Sequence, residues 1–117
     1  MPGWTVKEIA TLAKLSHRRT RYVLANGLVP GLDTQPNNKA RRFGQFEAFA
    51  IGVATRLLDA GITSRAVLDC MRQLGGARET GVLYDLFTRC TRASVALDIG
   101  RDVALTISFK NLHVFRE

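Results

Sequence analysis

The chain has 117 residues, of which 46% are hydrophobic, and its 17 Lys and Arg against 10 Asp and Glu give a formal net charge of +7. This length suits one ordinary domain or a small module with an appendage, and the apolar content is sufficient for a packed core. Two cysteines, two histidines and the lack of a long apolar run argue against a disulfide-dense secreted scaffold, a zinc site and a membrane protein, while the basic balance indicates a polyanionic partner.

Two short helices are predicted at the start of the chain. Thr5 and Glu8 have the spacing of a capping box, in which each side chain bonds the backbone amide of the other residue. Ser16 is a good N-cap for a second helix over residues 17–26, and Gly27 is suited to end it in the left-handed conformation. Two short helices with so tight a connection indicate a helix-turn-helix.

The second helix has two chemically different sides. At 100° per residue, Thr20, Val23 and Leu24 share one side, which is expected to pack on the first helix. The opposite side is basic and aromatic and suits the major groove of DNA, because arginine binds guanine edges and phosphates. A run of charge alone is more often a solvated surface, so the interpretation depends on the helix-turn-helix context. The predicted DNA contacts on this helix are His17, Arg18, Arg19, Arg21 and Tyr22.

Residues 31–44 predict a basic loop beside the helix-turn-helix. The segment is rich in Gly, Pro and Asn and has no helical period, so we expect a loop or a small hairpin with its tip near residues 37–38. Lys39, Arg41 and Arg42 follow the tip. A protruding loop of this kind would act as a wing, whose basic side chains contact phosphates and position the helix without specifying sequence.

Two further helices are predicted over residues 45–60 and from Thr63 or Ser64 to Leu74. Apolar residues recur at helical spacing in both, which indicates one buried stripe on each helix. Cys70 lies within the second stripe and is predicted to be a small core residue rather than a redox centre or metal ligand.

Four segments carry a family resemblance. They are LSHRRTRY at residues 15–22, NGLVP at 26–30, ARRF at 40–43 and LLDAGI at 57–62. In this order and spacing they resemble the DNA-binding domain of the MerR family of transcriptional regulators, over about residues 4–74.

The resemblance implies a winged helix-turn-helix in which Arg18, Arg21 and Tyr22 meet DNA while Arg41 and Arg42 hold its backbone. Two features depart from the family pattern. Thr20 stands where the family usually has a buried leucine. The 43 residues after position 74 do not show the pattern of the long dimerisation helix that usually follows in the family.

The C-terminal part differs from the rest in charge and in period. Residues 1–75 contain 11 Lys and Arg against 5 Asp and Glu, whereas residues 76–117 contain 6 against 5, and Gly75–Gly76 lies between them as a candidate linker. A short helix is predicted over residues 81–91, with Cys90 packed in it. The period then changes to two, which predicts a β-hairpin over residues 95–109 and a third short strand or turn near residues 112–115.

The apolar face of this hairpin needs a cover, either the preceding helix or a second copy of the chain. We favour a homodimer formed through residues 76–117, because two half-sites multiply the DNA sequence that one winged helix contacts. This part is too short for a conventional effector pocket, so no small-molecule effector is expected.

The predicted fold class is therefore α+β, mainly α, with a winged helix-turn-helix domain at residues 1–75 and a helix plus C-terminal β-hairpin at residues 76–117. The predicted function is sequence-specific binding of double-stranded DNA by a homodimeric transcriptional regulator, cytoplasmic and associated with the nucleoid. No catalytic constellation, metal-ligand set or cofactor motif is visible, so an enzyme is not expected. The alternatives are a small architectural, excisionase-like protein that bends DNA, and a protein-interaction module whose hairpin adds strands to a partner's sheet.

Overall fold

Five helices make up most of the structure. The computed structural model describes residues 3–32, 42–89, 94–100, 103–108 and 115. Its helices are α1 (Val6–Ala13), α2 (His17–Ala25), α3 (Gln45–Asp59), α4 (Ser64–Leu74) and α5 (Val82–Arg89). Within the described ranges, none of these helices has the length and apolar character needed to cross a membrane.

The predicted start signals of the helices are confirmed. The Glu8 amide donates to the Thr5 hydroxyl at 3.2 Å, and the Thr5 amide donates to Glu8 Oε1 at 2.9 Å, which completes the capping box of α1. The side chains of Ser16 and Thr63 cap α2 and α4. Between α1 and α2, Lys14 takes the left-handed conformation at φ +57°, so the chain turns within three residues. The first two helices therefore form the tight pair that the sequence predicts.

The central helix is α3. Ten of its 15 residues are buried, far more than the single stripe that a surface helix hides. The other four helices all pack against it. Thr55 is buried on this helix, and its hydroxyl donates to the Ile51 carbonyl at 2.8 Å, so the core holds no unpaired polar group there.

The predicted core position of Cys70 is confirmed. Its side chain is buried on α4 together with Val67, Met71 and Leu74. Burial raises the pKa of the thiol, and the nearby Asp69 carboxylate raises it further, because both disfavour the thiolate. The thiol therefore stays protonated at neutral pH. Cys90 lies outside the described residues.

Aromatic contacts attach α5 and the end of the chain to this core. The ring of Phe87 lies 5.1 Å from that of Phe49 and 5.4 Å from that of Phe46, measured between centroids. Phe115 is fully buried and meets Trp4 edge to face at 5.4 Å. The core thus includes side chains from both ends of the chain.

Gly75 and Gly76 form a closely packed turn after α4. Both have positive φ, +90° and +57°, which glycine adopts without strain. The next amide, that of Ala77, donates to the Pro30 carbonyl at 2.8 Å, and a β-carbon on Gly76 would lie 2.1 Å from the same oxygen. The turn thus holds the segment after α2 against the end of α4. The division of the chain into domains at residue 75 stays a prediction.

Two strands, β1 (Ser94–Gly100) and β2 (Val103–Ser108), form an antiparallel ladder with each other. Val95 is opposite Ile107, and the register shifts between Asp98 and Gly100. The backbone of β1 lies beside α4. The predicted turn residues 101–102 lie outside the described residues, as do residues 112–114 of the third short strand or turn predicted near residues 112–115.

The predicted fold class, α+β, is wrong. The described body is a compact, mostly helical globule of five helices, with a radius of gyration of 13.0 Å, and no β-hairpin layer completes the core that the structure describes. The reason is α3, whose sides are covered by other helices, so the described core needs no sheet. A period of two predicts extended backbone, but it does not predict that the strands form a layer of the core. The wing expected at residues 31–44 falls largely on residues 33–41, outside the described residues.

Candidate nucleic-acid interface

The predicted division of α2 into two sides is confirmed. Thr20 and Val23 are fully buried, and Leu24 is partly buried. The Thr20 hydroxyl donates to the Ser16 carbonyl at 2.8 Å, so a polar side chain occupies this core position without an unpaired donor. Because this side is buried, the opposite side of α2 faces solvent.

Arg18 and Arg21 lie on the exposed side of α2, three residues apart and therefore on one face. His17 is exposed at the first position of the helix. The structure gives these three side chains no hydrogen bond or ion pair with any residue it describes. Two exposed guanidinium groups without a partner among the described residues thus lie on the second helix of the tight pair α1 and α2.

Arg19 and Tyr22 are exposed as well, but each contacts another helix. Arg19 Nη1 donates to Asp59 Oδ1 at 3.1 Å, and the Ser16 amide donates to Asp59 Oδ2 at the longer distance of 3.4 Å. The Tyr22 hydroxyl is 2.8 Å from the Ser64 hydroxyl, and either can donate. These contacts connect α2 to the last residue of α3 and the first residue of α4.

Arg42 lies at the base of the predicted wing and bonds within the chain. Its Nη1 donates to the Gly3 carbonyl at 2.8 Å and to Glu8 Oε1 at 3.3 Å. Next to it, Trp4 and Phe43 form a bridge through two backbone hydrogen bonds of 3.0 and 2.8 Å. The base of the predicted wing is therefore fixed to the start of α1. Lys39 and Arg41 lie outside the described residues.

Glu8 takes part in both the cap and the base of the predicted wing. The hydrogen bond from the Thr5 amide lowers the pKa of this carboxyl most. Desolvation is the next largest effect and opposes it, and the positive charge of Arg42 and the Thr5 hydroxyl lower the pKa further. The carboxylate is therefore the form that the folded chain favours.

Arg19, Tyr22 and Arg42 contact Asp59, Ser64 and Glu8, respectively. The sequence did not predict these three contacts. One signal for Asp59 is present in the sequence. A carboxylate at the end of a helix meets the negative end of the helix dipole and is unfavourable there, so its presence indicates a compensating contact. For Ser64 the sequence indicates only a helix start.

Comparisons of the chain with known protein families, with curated proteins and with solved structures return no match. Function is therefore inferred from the residues and their geometry.

Proposed function

We propose that the protein binds double-stranded DNA through the exposed side of α2 and acts as a sequence-specific transcriptional regulator. The observation that carries the proposal is the pair Arg18 and Arg21, exposed and without ion-pair partners among the described residues, on the second helix of a tight helix-turn-helix whose other side is buried. The resemblance of residues 4–74 to the DNA-binding domain of MerR-type regulators supports the same function.

The chemistry of the pair fits a DNA groove. An α-helix enters the major groove, and a guanidinium group there donates two hydrogen bonds to the edge of guanine or binds a phosphate. The net charge of +7 attracts the chain to DNA before contact is made.

The proposed regulator acts as a homodimer associated with the nucleoid in the cytoplasm. One helix contacts few base pairs, and a second copy related by two-fold symmetry doubles the half-sites. Residues 76–117 are the proposed dimerisation element, because apolar residues recur along their sequence and the long dimerisation helix usual in the family is not apparent there. The DNA-bending and protein-interaction alternatives predict different results when DNA binding is measured.

The test is fluorescence anisotropy with labelled duplex DNA from the region upstream of the gene, titrated at several salt concentrations. We expect tight binding by the unmodified chain. Its affinity should fall steeply with salt, because each phosphate neutralised contributes about −0.9 to the slope of log affinity against log salt concentration. Arg18→Ala/Arg21→Ala is expected to abolish preferred binding to one duplex. A stoichiometry of two chains per inverted repeat would support the homodimer.

The matched control is Arg72→Ala/Arg78→Ala, which also removes two exposed positive charges, neither of them on the helix-turn-helix. It should keep the preference for the duplex. Weak binding to every duplex, or equal binding by Arg18→Ala/Arg21→Ala, contradicts the proposal and favours a protein-interaction module. Filling of direct repeats with strong bending favours the architectural alternative.

A further inference from the structure

We propose that the corner between α3 and α4 is a clamp that sets the angle of α2 on DNA, with Asp59 and Ser64 as positioning residues. The inference rests on the proposed function and deepens it, because it separates the residues that meet DNA from those that hold the helix. The corner clamp consists of Asp59 and Ser64 together with their partners on α2.

The partners on α2 lie along one edge of the helix. They are Ser16, Arg19 and Tyr22, and a spacing of three residues places successive members on adjacent turns of one side. Asp59 accepts hydrogen bonds from the Ser16 amide at 3.4 Å and from the Arg19 guanidinium at 3.1 Å, and the hydroxyls of Ser64 and Tyr22 bond each other at 2.8 Å. The clamp therefore holds α2 at its N-terminus and again one turn later. Two attachment points on one edge restrict how far the helix can pivot against α3 and α4, which a single contact does not.

The Asp59 carboxylate is well suited to this role. Its two oxygens accept from two different donors, the Arg19 guanidinium and the Ser16 amide, so the direction of the carboxylate is defined. Its side chain is 26% exposed, against 54% for Arg19, so solvent screens the pair less than it would at a fully open surface. The carboxylate also favours the charged form of Arg56 one turn earlier on α3, where burial lowers the pKa of the guanidinium.

The corner clamp gives neighbouring arginines different roles. Arg18 and Arg21 are exposed and have no ion-pair partner in the part of the chain that the structure describes, whereas Arg19 forms an ion pair with Asp59. Arg19 thus positions α2 rather than contacting DNA. The sequence-based assignment of Arg19 and Tyr22 as DNA contacts makes the opposite prediction, so the two can be distinguished.

The decisive variant is Asp59→Asn, because the two roles of Arg19 give effects of opposite sign. If Asp59 merely competes with DNA for Arg19, its neutralisation frees one cation, tightens binding and steepens the salt slope by about 0.9. If Asp59 positions α2, the same change weakens binding to the preferred duplex and leaves the slope unchanged. We expect weakening of about three- to fivefold, the scale of a partly exposed ion pair.

The experiment measures anisotropy for Asp59→Asn, Arg19→Gln and the double variant, on the preferred duplex and on a scrambled one, at several salt concentrations. The double variant should bind no more weakly than either single variant, because all three lose the same contact. Binding to the scrambled duplex should not change, since it depends on phosphates and not on the angle of α2. Tyr22→Phe and Ser64→Ala remove only hydroxyls at the other attachment point and should weaken preferred binding at an unchanged slope.

The matched control is the ion pair of Asp69 and Arg72 on α4, whose atoms are 3.7 Å apart and whose side chains are 62% and 65% exposed. Asp69→Asn and Arg72→Gln make the same chemical changes away from α2 and should leave the preference for the duplex intact. Circular dichroism of each variant reports whether it is folded.

The outcomes separate the two proposals. If Arg18→Ala/Arg21→Ala abolishes binding but Asp59→Asn and Tyr22→Phe bind as tightly as the unmodified chain or more tightly, the corner clamp is overturned and the proposed function stands. A salt slope reduced by about 0.9 in Arg19→Gln would make Arg19 a phosphate contact and would also overturn the clamp. If the unmodified chain binds no duplex, both proposals are overturned together.

Discussion

Glu8 combines two contacts in one exposed carboxylate. One of its oxygens accepts both from the Thr5 amide, in the cap of α1, and from Arg42 at the base of the predicted wing. Both contacts are stronger with the ionised carboxylate, and the pKa of Glu8 is lowered in the folded chain from the ordinary value of 4.5. Folding stability must therefore depend on the protonation of this single side chain.

The sign of that dependence follows from linkage. Because the pKa is lower in the folded chain, the stabilisation by Glu8 is fully present above the ordinary value and is lost as pH falls through the folded value. We expect Glu8→Gln to lower the urea midpoint at pH 7 and the difference from the unmodified chain to shrink steadily as pH falls below 4.5. Urea unfolding of both chains at several pH values measures this difference.

The control for this experiment is Glu79→Gln, which removes an exposed carboxylate without a hydrogen bond or ion pair among the described residues. Its urea midpoint should follow that of the unmodified chain across the same pH range. An equal pH-dependent loss in both variants would mean that net charge, and not the contacts of Glu8, causes the effect.

At the scale of elements, two glycines with similar backbone angles differ in what surrounds them. Gly27 after α2 has φ +61° and open space around the position of a β-carbon, whereas Gly76 after α4 has φ +57° and the Pro30 oxygen 2.1 Å from that position. We expect Gly27→Ala to lower the free energy of unfolding by about 1–2 kcal/mol, because alanine is unfavourable in the left-handed conformation. Gly76→Ala adds a backbone clash and should cost at least about 2 kcal/mol more.

Urea unfolding of the two variants measures this difference directly, because each serves as the control for the other. Equal destabilisation by the two alanines would show that the turn after α4 moves freely away from Pro30. The contact between that turn and the segment after α2 would then add little to stability.

The limits of the helices could be predicted because their signals are local. The expected spans 17–26 and 45–60 differ by one residue from the observed α2 and α3, since caps and glycine stops act within one turn. The contacts between helices could not be predicted in this way. Arg18 and Arg19 are adjacent residues of the same type, and their contacts differ only because Asp59, 40 residues after Arg19, packs beside α2. The burial of α3 on several sides likewise depends on four other helices.

At the scale of the whole molecule, the two ends of the described chain meet at one place. Trp4 is bridged to Phe43 through the backbone and contacts the buried ring of Phe115. Phe43 in turn precedes α3 and follows the predicted wing. The C-terminal end of the chain therefore supports the base of the predicted wing, although more than 70 residues separate them in sequence.

This arrangement predicts that Phe115→Ala destabilises the chain and changes the environment of Trp4 at the same time. Removal of a buried phenylalanine ring costs about 3–5 kcal/mol, because apolar contacts are lost and a cavity remains. Trp4 is the single tryptophan, so its fluorescence reports on this place alone. We expect its emission in the folded state to shift to longer wavelength, since loss of the covering ring admits water.

Phe87→Ala is the matched control, because it removes a ring that is only 8% exposed and packs on Phe46 and Phe49 instead of Trp4. It should lower the urea midpoint by a similar amount and leave the folded-state emission of Trp4 unchanged. If Phe115→Ala lowered stability by less than about 1 kcal/mol with unaltered emission, the end of the chain would not belong to the core. If both variants shifted the emission of Trp4 equally, the packing around α3 would have loosened in both. The whole helical core, and not Phe115 in particular, would then support the base of the predicted wing.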